Sequence, residues 1–124
     1  RPVTIKIEFS NNLVVQAPER VVSVLLGNLL RNACTYTDYG TIVVKIVEKR
    51  VTIADTGVGM TKEDQNGAFY AFSRGSQARP GGHGVGLNIV RKLSERFDWP
   101  VELASRPQKG TEATIDFLDA EYIF

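Results

Sequence analysis

Asn28 and Asn32 stand four residues apart in a stretch of helical apolar periodicity, so on a helix both amides project from one side. Asparagine is a mediocre helix former, and an amide oxygen is a hard ligand for a cation or a polar group. The same pair is also compatible with a solvated helix face. A second group, Asp55-Thr56-Gly57-Val58-Gly59-Met60, directly follows a strand-like run. Its glycines permit positive φ and close approach of backbone to a ligand, and a strand-end carboxylate can accept from an amine. A plain strand-to-loop turn capped by the aspartate would look alike. The third group, Gly82-His83-Gly84-Val85-Gly86-Leu87, leads into a helix. Glycine-rich backbone at a helix N-terminus can cradle an anion, or simply act as a hinge. It is neither a Rossmann fingerprint, lacking the preceding strand of a βαβ unit, nor a Walker A motif, lacking Gly-Lys-Ser/Thr. Arg74 and Arg79 lie between the second and third groups, in a stretch without an acid from Phe69 to Gly86.

The elements that must position these groups follow from periodicity. Val3, Ile5, Ile7 and Phe9 alternate with Thr4, Lys6 and Glu8, which predicts a half-buried strand. Ser10, Asn11 and Asn12 read as a turn, and residues 13–15 as a short returning strand. Pro18 opens a helix expected to reach about residue 36, with Leu25, Leu29 and Ala33 on one face beside Val22 and Leu26. Strands are expected over residues 42–47 and 50–54, joined by a short turn that lacks the glycine preferred in a tight hairpin. Residues 55–83 form a long glycine-rich loop, with a short helix starting near residues 62–64. A second long helix covers 84–97, with Leu87, Val90, Leu93 and Phe97 on one side. Two last strands at 101–103 and 113–117 precede a tail over 119–124. The fold class expected is α+β: a two-layer sandwich whose mixed, mostly antiparallel sheet is covered on one face by helices.

The 124 residues suit one domain, 1–124, and the opening straight into a strand reads as a domain excised from a longer protein. Fifteen Lys and Arg against fourteen Asp and Glu leave a formal net charge of +1, so neither nucleic acid nor direct membrane contact is expected. The single cysteine, Cys34, excludes an internal disulfide framework.

Taken in order, these groups resemble the catalytic and ATP-binding domain of sensor histidine kinases, within the wider group of gyrase, Hsp90 and MutL ATPases. The run Leu26-Gly27-Asn28-Leu29-Leu30-Arg31-Asn32-Ala33 resembles that family's N box, 55–60 its G1 box, and 69–74 its F box. Residues 82–87 resemble its G2 box, and Gly110-Thr111 the glycine-threonine before its last strand. The resemblance runs over nearly the whole chain and implies a sandwich of the Bergerat type.

It also implies roles. Asn32 would give its side-chain oxygen to Mg²⁺, and Asn28 would sit by the ATP phosphates. Asp55 would accept from the adenine amino group, with Gly59 leaving room for the ring, Gly57 among the nucleotide-binding residues, Tyr36 against adenine, and Thr111 reading it through water. Gly82, Gly84, Val85, Gly86 and Leu87 would line the phosphate cradle. Residues 62–82 would be the ATP lid, with Arg74 meeting the γ-phosphate. The implied reaction moves that phosphoryl group to a histidine on a separate dimerisation and phosphoacceptor domain, and onward to a response regulator. The isolated domain would be a monomer, the parent a homodimer, and this part the cytoplasmic domain of an inner-membrane sensor.

Three departures stand out. Thr35 occupies a position where the family often has lysine, Arg31 precedes Asn32, and the only histidine, His83, lies inside the glycine motif and not on an acceptor helix. Two alternatives follow from the same residues: an ATPase of the gyrase, Hsp90 or MutL kind, or a nucleotide-binding module without transfer.

Overall fold

A computed structural model describes residues 3–35, 37, 40–59 and 84–123. Tyr36, Gly82 and Arg74, the 62–82 lid and the short helix expected near 62–64 lie outside the described residues. Among the described residues, seven strands and two helices run in the order β1 (Val3–Phe9), β2 (Asn12–Val14), α1 (Glu19–Thr35), β3 (Gly40–Val47), β4 (Arg50–Asp55), α2 (Gly84–Phe97), β5 (Val101–Arg106), β6 (Gly110–Asp116) and β7 (Glu121–Ile123). The main sheet has the order β1-β3-β4-β6-β5. Only β1 and β3 pair in parallel; the other neighbours are antiparallel. This is the mixed, mostly antiparallel sheet expected.

One face of that sheet is apolar because every second residue is. Ile42, Val51, Ile53, Ala113 and Ile115 are buried together with Leu25, Leu29 and Ala33 of α1 and Leu87 and Val90 of α2. The predicted helix stripes are therefore the core-facing stripes, and α1 packs on both β4 and α2. The C-terminus of α2 is closed by Asp98 in left-handed conformation, φ 56°, and by the Trp99 N–H donating to the Ser94 carbonyl at 3.0 Å. Trp99 then stacks on Phe97 and meets Phe117 edge-on, each at 4.8 Å between centroids.

Two expectations need correction, and a third holds for a reason that local sequence does not show. The strand β1 forms, but its alternating apolar residues are not half-buried: Ile5, Ile7 and Phe9 are 50%, 66% and 67% exposed. Strand β1 is an edge of the sheet among the described residues, and α1 packs over β4 and α2, away from it. The C-terminal tail is not irregular, since β7 pairs with β2 in a separate two-stranded sheet, Leu13 opposite Tyr122. The β3–β4 hairpin manages without glycine because a distant side chain holds it. Glu48 takes φ 54°, and buried Asn11 clamps it: the Glu48 N–H donates to Asn11 Oδ1 at 2.7 Å, and Asn11 Nδ2 donates to the Glu48 carbonyl at 3.1 Å. Asn11 was legible only as a turn residue. Asn11→Ala should lower unfolding free energy by about 1–3 kcal/mol, since it strands both backbone groups; a urea melt reads this, and an unchanged midpoint would refute the clamp.

Candidate functional site

The site is built where β4 ends. Asp55 is its last residue and occupies the inward register with Val51 and Ile53, so its carboxyl is carried into the interior, 7% exposed. Oδ1 accepts two backbone N–H bonds, from Gly57 at 2.8 Å and from Thr111 at 3.3 Å. Burial nonetheless dominates and raises the Asp55 pKa above its ordinary 3.8, against the lowering by these bonds and by the Thr37 hydroxyl. Thr37, just beyond α1, is 3% exposed; its hydroxyl faces the carboxyl but closes no hydrogen bond of standard geometry. Thr37 was not among the residues singled out from the sequence.

The loop after β4 is pinned on both sides. The Thr56 N–H donates to the Thr41 carbonyl at 3.1 Å, and Thr56 Oγ1 accepts the Thr41 N–H at 3.1 Å. The Gln108 N–H, in the β5–β6 turn, donates to the Val58 carbonyl at 2.6 Å. Gly59 is buried at φ 71°, a conformation that favours glycine. Gly110, at φ 96°, passes so close to Asp55 that a Cβ there would run into the Asp55 carbonyl. The neighbouring Thr111 is buried, and its hydroxyl shares a 2.7 Å hydrogen bond with Ser105. The glycine at 110 is thus what lets the Thr111 N–H reach the carboxylate. Gly110→Ala should cost at least about 1–3 kcal/mol of stability through strain and clash. A thermal melt measures this, and a variant as stable as the parent would remove Gly110 from the site.

Helix α1 supplies the amides. Asn28 is buried; its Nδ2 donates to the Val24 carbonyl at 2.8 Å, and its Oδ1 accepts from Arg31 Nη1 at 3.1 Å. The guanidinium at position 31 is therefore spent in part on its own helix. Asn32 is half-buried one turn further on, towards Thr37 and Asp55. Thr35, at the position where the family often has lysine, turns its hydroxyl back to the Arg31 carbonyl at 2.9 Å. Helix α2 begins at Gly84, so Gly84, Val85, Gly86 and Leu87 form its first turn, whose N–H groups lack intrahelical acceptors. The Leu87 side chain belongs to the core, so only its backbone is available to a ligand. Buried Asn88, also not singled out, accepts from Arg91 Nη2 at 2.7 Å.

The structure brings Asp55, Gly57, Gly59 and Thr111 together, with Thr37 and Gly110 added. Asn28 and Asn32 lie on the adjoining helix. A cavity of about 380 Å³ also reaches Asp55 and Thr111, but Ala54, Ala104 and Glu112 in its wall place it largely on the opposite, uncovered face of the sheet. Among the described residues, no group of three His, Cys, Asp or Glu side chains is arranged to hold a metal. No helix among the described residues is long and apolar enough to cross a membrane.

Comparison with known proteins gives a consistent picture. The family described as "Histidine kinase-, DNA gyrase B-, and HSP90-like ATPase" matches residues 17–121. The chain is 30% identical over 121 residues to the sensor-like histidine kinase SenX3 of Mycobacterium tuberculosis, covering 91% of this chain and 30% of that protein. It thus spans about a third of the length of this relative. Among solved structures, the mycobacterial sensor histidine kinase MprB superposes with a TM-score of 0.76 at 20% identity, over 98% of this chain and 82% of that one. Full-length ShkA in complex with AMPPNP gives 0.75 at 23% identity, over 98% of this chain and 26% of that one. At these identities the two superpositions establish a shared fold.

Proposed function

The chain belongs to the histidine kinase-, DNA gyrase B- and HSP90-like ATPase family, and on that footing we propose that it is the catalytic domain of a sensor histidine kinase. It binds Mg-ATP and presents the γ-phosphoryl group to a histidine on a separate dimerisation and phosphoacceptor domain. The observation that carries this is Asp55: a buried carboxyl at a strand end, held on one oxygen by two backbone N–H groups and faced by an unsatisfied Thr37 hydroxyl. A carboxyl so placed fits the exocyclic amine of adenine, because such an amine brings donors to an acceptor that is already oriented and dry.

Bound Mg-ATP would supply the transferable phosphoryl group and the divalent charge that neutralises it. The chain's own part is positioning. Asp55 and Thr111 orient the base. The first-turn N–H groups of α2, at Gly84, Val85, Gly86 and Leu87, face the phosphates with the positive end of the helix dipole. Gly82 would extend that cradle, Tyr36 would flank the base, and Arg74, in a lid over 62–82, would meet the γ-phosphate. Asn32 would hold the cation by its amide oxygen, with Asn28 beside the phosphates. An amide at position 28 has no useful basicity at neutral pH, so it cannot activate water as a carboxylate would; this favours transfer over hydrolysis. In the parent protein, this part would lie in the cytoplasm of a membrane-anchored dimer that feeds a response regulator.

The test mixes the chain with the phosphoacceptor domain of its parent, Mg²⁺ and γ-labelled ATP. Acid-labile label on histidine is expected. Release of inorganic phosphate without labelled histidine would make the chain an ATPase. Binding with neither outcome would make it a nucleotide-binding module.

A further inference from the structure

The outer edge of β1 pairs with no strand among the described residues. It carries one uncovered apolar row, Ile5, Ile7 and Phe9, in register with Ile42, Val44 and Ile46 of β3 and hence on the helix-bearing side of the sheet. On the other side it carries Thr4, Lys6 and Glu8, all exposed. An exposed strand edge with one apolar face is a template for another strand, and natural edges are usually blunted or occupied.

The order of charges on this edge selects its partner. Consider two copies of β1 running antiparallel about a two-fold axis normal to the sheet, which keeps both apolar rows on one face. Centring the axis on Lys6 sets lysine against lysine, and centring it on Glu8 sets glutamate against glutamate; like charges directly opposite are destabilising. Centring it on Ile7 sets Lys6 opposite Glu8 twice, Ile5 opposite Phe9 twice, and Ile7 opposite itself. Glu8 also lies beside Lys45 of its own β3, so the charges alternate across the junction. Only this centre, of the three, pairs unlike charges and apolar side chains together.

We propose that β1 is a self-association edge: two copies of this chain pair antiparallel through residues 5–9, centred on Ile7, into one continuous ten-stranded sheet with both helical layers on the same side. The proposal is independent of the reaction assigned above and replaces the monomer expected from resemblance. A contact of five residues per copy falls well below the ~1,200 Å² of a standard interface, so the dimer is weak in free solution.

Sedimentation equilibrium of the chain from about 10 μM to about 1 mM spans the affinity range of such a contact. A monomer–dimer equilibrium is expected. Lys6→Glu alone and Glu8→Lys alone should each weaken it about tenfold, because two attractive pairs become repulsive. An equimolar mixture of these two variants should associate more tightly than either alone, since each supplies the charge the other lacks. Both side chains are solvent-facing, and thermal melts confirm that the variants stay folded. A chain that is monomeric throughout, or a dimer indifferent to both reversals and to their mixture, would overturn the proposal. Specific capture of a foreign strand at this edge without self-association would also overturn it.

Discussion

Asp55→Asn should weaken ATP and ADP binding about 100-fold, roughly 3 kcal/mol, and abolish preference for ATP over GTP. Both backbone N–H bonds fall on Oδ1, which leaves the other carboxyl oxygen for a ligand amine. Asparagine has one oxygen to offer. If it stays with Gly57 and Thr111, its NH₂ meets the adenine amine, donor against donor. If it turns to the adenine, its NH₂ meets the two backbone N–H groups. Either arrangement leaves a buried donor unmatched, at about 1–3 kcal/mol each. Guanine offers a carbonyl oxygen where adenine has its amine, so the parent should discriminate against GTP. Equal affinity of the parent for ATP and GTP, by calorimetric titration, would remove Asp55 from base recognition.

The same variant separates binding from folding. Burial raises the Asp55 pKa, so its ionised form is disfavoured in the folded state. That penalty is absent below the ordinary value of 3.8, grows as pH rises, and is complete above the raised value. Asp55→Asn lacks it. The variant should therefore be at least as stable as the parent at pH 7, with an advantage that shrinks as pH is lowered. A variant that lost nucleotide binding because it unfolded would show the opposite.

Asn32→Ala should remove most of the gain that Mg²⁺ gives to nucleotide affinity and slow phosphoryl transfer by about 100-fold or more, since misplacing the reacting group by even ~1 Å costs about that much. The position is suited to this test because Asn32 is half-buried and outside the core, so truncation does not open a cavity. Asn28→Ala is the informative control. Its amide already bonds Val24 and Arg31, so its loss should also disturb the helix. Binding measured with Mg²⁺ and with EDTA reads the metal term directly. A full metal-dependent gain in Asn32→Ala would move the ligand role to Asn28.

The sequence by itself determined the elements with strong periodicity. The stripe of Leu25, Leu29 and Ala33 on α1, and that of Leu87 and Val90 on α2, became the core because apolar residues at helical spacing have one face to bury. It also determined the order of the chemical groups. Asp55 had to reach the end of β4, since a strand places every second residue on one side and Val51 and Ile53 lead into it.

What tertiary structure decided are the pairings between residues far apart in the chain. Asn11 clamps Glu48 from 37 positions away. Thr111 reaches Asp55 across 56, and only because Gly110 leaves room for it. The tail becomes a strand because β2 offers it an edge. Period-two alternation on β1 says that one face is apolar, but not whether a helix covers it. That depends on where the helical layer ends, a property of the assembled sheet, which no local pattern carries.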